Sequence, residues 1–140
     1  MITRGPPVRR PLHRLSREAT EWIEKAVRED EARGQLKKGP SDWGSPAFPT
    51  KPGASHKAVQ RAQRIVVDYR GVNNVTVRKT FIIPNSDYLK STVAGSLYIS
   101  VGDLKEGFKQ CQNEPETAKK LAVLVVSGTY LPFGLTCGPT

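Results

Sequence analysis

Long apolar runs are missing from this 140-residue chain. None approaches the roughly 20 residues that a bilayer-spanning helix needs. Met1 to Arg10 carries charge but no apolar stretch of the signal-peptide kind. An arginine-rich start can mimic a transit peptide, yet the prolines among those arginines would break an amphipathic helix. The expectation is a soluble intracellular protein, cytoplasmic or nuclear, with no signal peptide and no membrane segment. Cysteine is scarce as well. Cys111 and Cys137 are the two present, and neither belongs to a CxxC or a Cys/His cluster. That excludes a structural zinc site, which takes about four clustered ligands, and points to two reduced thiols. Internal repeats and low-complexity tracts are absent. So are a zinc knuckle, a GxxG loop and an RNP aromatic pattern, which disfavours the common small nucleic-acid modules.

Positive charge is what the chain has in excess. Against 13 Asp and Glu stand 22 Lys and Arg, a net +9. Such a surplus attracts polyanions and makes their binding salt-dependent, although composition alone fits an ordinary basic protein equally well. Hydrophobic residues make up 37%, enough for a modest core. Eleven prolines and twelve glycines predict a chain much interrupted by turns. The Asn74-Val75-Thr76 sequon reads as chance, since nothing suggests secretion.

Residues 1–15, with Pro6, Pro7 and Pro11 among arginines, are predicted to form an extended basic arm that is largely unpaired. Ser16 reads as a helix N-cap with Glu18 in the first turn. From there Ala19, Trp22, Ile23, Ala26 and Val27 recur at three- and four-residue steps. The spacing predicts an amphipathic helix from Arg17 to Arg33, stopped by Gly34. Trp22 on its apolar face is a core residue rather than a ligand contact. Residues 34–63 are rich in glycine and proline and should form loops with short strands, for example at Ala47–Thr50; Lys57–Arg64 reads as a basic surface loop. Arg64–Tyr69 is a strand candidate whose β-branched centre suggests burial on both faces. A short helix is expected over Ser86–Val93, closed by Gly95. Leu97–Val101 and Leu121–Val126 read as strands, with Thr129–Leu131 returning antiparallel after Gly128. The layout is α+β rather than doubly wound.

The sharpest local feature is Ser100 to Phe108, where Gly102-Asp103 follows an expected buried strand. A carboxylate at a sheet edge is well placed to aim at a metal, but a Gly-Asp turn is the commoner explanation. The wider pattern shifts that balance. Val67-Asp68-Tyr69-Arg70-Gly71-Val72-Asn73 is similar to the V-D-Y/F-R-x-L/V-N stretch in the fingers of LTR-retrotransposon (gypsy-like) reverse transcriptases. Asp103 to Gln110 resembles their motif A, D-L-x-x-G-F/Y-x-Q. Leu131-Pro132-Phe133-Gly134-Leu135-Thr136 resembles the start of motif B. Gly5-Pro6-Pro7-Val8 with Arg14-Leu15-Ser16, and Trp43-Gly44-Ser45-Pro46, resemble the segments flanking the first fingers helix. All fall in family order, and together they are hard to obtain by chance.

The resemblance implies fingers and part of the palm of a right-hand polymerase, incomplete and mostly antiparallel with packed helices. Residues 1–15 would be the arm, 16–96 the fingers-like region and 97–140 the partial palm. Asp103 would be the catalytic carboxylate holding Mg²⁺ in a two-metal site with ions about 4 Å apart. Leu104 would offer its carbonyl to the nucleotide-side metal. Phe108 would lie under the sugar, where an ordinary core aromatic is the competing explanation. Arg64, and in a less secure register Lys57, would grip triphosphate. Phe133 and Gly134 would approach the templating pair. Arg70 and Asn73 would hold the fingers together. The partners implied are an RNA or DNA primer–template, and a protein partner over the unfinished palm. Motif B departs at Cys137-Gly138, residues 117–132 match poorly, and the sequence contains no Y-x-D-D pair of aspartates. The expectation is therefore a reverse-transcriptase segment from a degraded or truncated element or an incomplete gene model, inactive alone and holding no metal stably. The alternative is a repurposed non-catalytic nucleic-acid-binding or structural subunit.

Overall fold

A computed structural model describes residues 1–50, 63–77, 82, 84–104 and 107–134, with the backbone alone for Phe108. Helix α1 (Arg17–Ala32) begins where Ser16 Oγ accepts a hydrogen bond from the Ala19 amide. It ends in a Schellman turn. Gly34 sits at φ 72° and donates to Glu31 O, while Gln35 N donates to Asp30 O. Ile23 and Val27 on its apolar face are buried, and Trp22 packs beside them half-buried.

Strands β1 (Leu36–Lys38), β2 (Ser45–Pro49), β3 (Ile65–Val67), β4 (Val123–Val125) and β5 (Gly128–Pro132) form one sheet in the order β1-β5-β4-β2-β3. Three of its joints are antiparallel, and β2–β4 is parallel, pairing Ser45 with Val123 and Pro46 with Leu124. A proline inside a strand normally costs a ladder bond. Pro46 avoids most of that cost because its missing N–H faces the β3 side at the ladder's end, where its carbonyl still accepts from the Asp68 amide. Helix α1 lies on β1 and β2, closing a core of Ile23, Val27, Leu36, Trp43, Ala47, Val67, Val123, Val125 and Tyr130. The fold class expected from the sequence, α+β with mostly antiparallel strands, is the one observed.

Helices α2 (Arg70–Val75), α3 (Ser86–Val93), α4 (Gly107–Gln110) and α5 (Pro115–Lys120) fill the connections. α3 matches its expected bounds: Asn85 Oδ1 caps it through the Asp87 amide, and Gly95 closes it at φ 86°. α2 and α5 were not expected. Pro115 at the first position of α5 is a start signal readable in the sequence.

Three expectations are corrected. The arm is paired rather than free: Arg4 N donates to Val75 O and Val77 N to Ile2 O, while Gly44 N donates to Val8 O and Arg10 N to Gly44 O. Prolines set the arm's extended shape, and the intervening residues keep their backbone groups for neighbouring strands and loops. β3 is an edge strand with Ile65 and Val66 half-buried, because among the described residues it pairs on one side alone. Leu97–Val101 is no strand. Its residues are exposed, Leu97 by 92% and Val101 by 93%, and no neighbouring strand among the described residues pairs with them. The basic stretch at 57–64 lies outside the described residues except for Gln63 and Arg64.

Tyr69 ties the end of β3 to the approach to β4. It is buried, and its hydroxyl donates to Leu121 O at 2.8 Å, next to β4. Tyr69→Phe leaves that carbonyl unpaired and should cost about 1–2 kcal/mol in urea unfolding. An unchanged midpoint would show that the bond contributes nothing.

Candidate functional site

Two groups of residues singled out by the sequence are placed very differently. The first is Val67 to Asn73. Asp68 follows β3 with its side chain 3% exposed. Arg70 grips it through both ends of the guanidinium, Nε to Oδ1 at 2.8 Å and Nη2 to Oδ2 at 2.7 Å, and the Arg70 amide adds a bond to Oδ1. Arg10 Nη1 reaches Oδ2 at 3.2 Å from the arm, and His13 Nε2 lies 3.7 Å from the same oxygen. The His13 ring also meets Phe48 edge-on, with centroids 5.4 Å apart. Burial alone would raise the Asp68 pKa. The Arg70 side-chain hydrogen bonds outweigh it, with further help from the Arg70 amide and the charges of Arg70 and Arg10, and hold the carboxyl well below the usual carboxylate range. This motif is a fastening. Arg10 and His13 escaped the sequence reading because 58 residues separate Arg10 from Asp68 and no local pattern pairs them.

The second group is Asp103 to Gly134. The described residues from Pro84 to Leu104 are all exposed. Asp103 and Leu104, the latter 72% exposed, lie on a segment from Leu97 onward that makes no hydrogen bond among the described residues. Six residues past Asp103, at Lys109, the chain is caught again. Lys109 Nζ donates to Asp30 Oδ2 and Gln35 Oε1, and Gln112 bridges Gly134. The Asn113 amide donates to Phe133 O at 2.6 Å, and Phe133 N donates to Gln35 O. Gly134 is buried against α4 so closely that a Cβ would overlap the Lys109 carbonyl.

The structure therefore brings the Lys109–Asn113 stretch onto Phe133 and Gly134, and leaves Asp103 and Leu104 outside that contact. Arg64 immediately precedes β3 and is exposed, its backbone paired with Thr50. No ion pair or hydrogen bond among the described residues joins Arg64 to Asp103 or to Phe133 and Gly134. The Phe108 side chain and Lys57 lie outside the described residues. Among the described residues no three His, Cys, Asp or Glu side chains gather as metal ligands. One exposed carboxylate does not fit a two-metal centre. No helix among them is long and apolar enough to cross a membrane.

The fold is that of a reverse-transcriptase segment. The protease–reverse transcriptase of Prototype Foamy Virus superposes with a TM-score of 0.74 at 22% identity, covering 97% of this chain and 18% of that one. The foamy viral protease–reverse transcriptase in complex with dsDNA gives 0.68 at 19% identity, over 95% of this chain and 27% of that one. In sequence, the chain is 30% identical over 143 aligned residues to the retrovirus-related Pol polyprotein from transposon 297 of Drosophila melanogaster. The chain is a homologue of retrovirus-related Pol polyproteins along a segment of reverse-transcriptase type. It covers 13% of that polyprotein's length, and the alignment takes in 98% of this chain. No protein-family model matches it.

Two outcomes are expected. Because the folded pKa of Asp68 lies below the unfolded value of about 3.9, its stabilisation is fully present above that value and is lost as pH falls through the folded one. Urea midpoints should fall between about pH 5 and pH 2, and Asp68→Asn should flatten that acid limb; an equally steep limb in the variant assigns it to other carboxylates. Gly134→Ala forces α4 away from Phe133 and should cost about 1–3 kcal/mol. Wild-type stability in that variant would mean the contact yields freely.

Proposed function

We propose that this chain is the fingers and the start of the palm of an RNA-directed DNA polymerase of retrotransposon type, and that alone it binds nucleic acid without extending a primer. The division at residue 96 between fingers-like and palm-like regions is part of this reading. The observation that carries it is the agreement of relationship and fold with Pol polyproteins and reverse transcriptase, together with a net charge of +9. The foamy viral enzyme binds dsDNA; a primer–template of RNA or DNA is the corresponding partner here. In the whole polymerase Asp103 would contribute a carboxylate to the Mg²⁺ ions and Leu104 its carbonyl. Arg64, with Lys57, would hold triphosphate, and Phe108, Phe133 and Gly134 would border the nascent pair. The rest of the polymerase is the protein partner, covering the apolar side chains exposed from Tyr88 to Val101. A cytoplasmic or nuclear setting follows from the nucleic-acid partner.

Non-catalysis rests on the donor set. Asp103 stands exposed, no group of three metal-ligating side chains gathers among the described residues, and the sequence contains no adjacent pair of aspartates. The chain should bind primer–template DNA in fluorescence anisotropy, with affinity falling steeply as salt rises. Asp103→Ala should leave the affinity within about twofold, since no complete metal site is lost. Primer extension in Mg²⁺ should give no product. Salt-insensitive binding would sink the charge-driven reading, and extension by the purified chain would sink the non-catalytic one.

A further inference from the structure

We propose that residues 2–10 form a detachable strap, fastened across the sheet and α2 by the Arg10–Asp68 ion pair and able to lift as a unit while the sheet stays folded. The strap touches the body at two backbone points, Thr3 and Arg4 against Val75 to Val77, and Val8 to Arg10 against Gly44. At the second point the Arg9 guanidinium spans Ser41 O at 2.9 Å, Trp43 O and, on β5, Thr129 Oγ1. The strap therefore ties the β2 entry and α2 to the far hairpin of the chain. Its hold is mostly polar. Ile2 is 56% exposed, and Val8, half-buried, is the one strap side chain packed on the core. Segments with few buried apolar contacts and solvent-facing backbone bonds open at low free energy.

What makes lifting separable is the sharing of Asp68. Arg70 alone satisfies both carboxylate oxygens, so Arg10 can leave without stranding a buried charge, the event that makes broken buried pairs costly. Gly71 completes the seat. A Cβ there would lie 3.0 Å from Val8 Cγ1 and 3.1 Å from Arg10 Cδ, so the strap rests directly on α2.

Amide hydrogen exchange on the full chain tests this. In Arg10→Ala the amides of Arg4, Arg10, Gly44 and Val77 should exchange about tenfold faster or more, the loss of a charged hydrogen bond, while those of Ser45 and the β4–β5 ladder keep their protection. Gly71→Ala should do the same, although alanine favours the helix, because its methyl displaces the strap. In the wild type, exchange of the strap amides should be nearly independent of low urea, whereas the ladder amides follow global unfolding. Unchanged strap amides in both variants, or strap and ladder amides opening together, would overturn the proposal.

Discussion

A single carboxylate, Asp68, is the point on which three parts of the chain converge. The edge strand β3 delivers it, α2 begins with the arginine that grips it, and the N-terminal arm is held down by a second arginine on the same oxygen. Burying an unpaired carboxylate would be prohibitive. Here the bidentate Arg70 meets the geometric demand of both oxygens, and the mostly exposed Arg70 side chain keeps its own solvation. The strength of the arrangement comes from geometry more than from burial. Both oxygens have donors before Arg10 arrives, so the arm adds to the cluster without being needed to neutralise it.

The sheet makes residues from both sides of position 96 into one packed unit. β1 pairs with β5, and β2 runs parallel to β4, so the early and late parts of the chain share a core. The segment between them, which carries Asp103, is an excursion from that core. It leaves after α2 and returns at α4, where Lys109, Gln112 and Asn113 are fastened to α1 and to the Phe133–Gly134 turn. Rigid positioning of a catalytic carboxylate needs packed neighbours and second-layer hydrogen bonds. In this chain that support is supplied to the residues after Asp103 and withheld from Asp103 itself.

Similarity to Pol polyproteins and the reverse-transcriptase fold agree with the motifs read from the residues, and those motifs divide by physical role. Val67 to Asn73 and Phe133-Gly134 are embedded in packed contacts: a buried ion pair, and a glycine seated on a carbonyl. Among the described residues Asp103-Leu104 has no such embedding.

What the sequence by itself determined was local. The α1 helix, its serine cap and its glycine stop follow from 3.6-residue periodicity and end chemistry, and α3 with its Asn85 cap and Gly95 follows in the same way. These depend on neighbours a few residues apart. The β4–β5 hairpin was legible for the same reason, whereas α5 was missed although Pro115 announced it. Only the tertiary structure decided that Leu97–Val101 is not a strand, since alternation and β-branching give a segment the capacity to pair but not a partner. It also decided that β3 lies at an edge and that the arm is strapped down by a carboxylate 58 residues away. Such choices rest on which groups are close in space, and no local pattern encodes that.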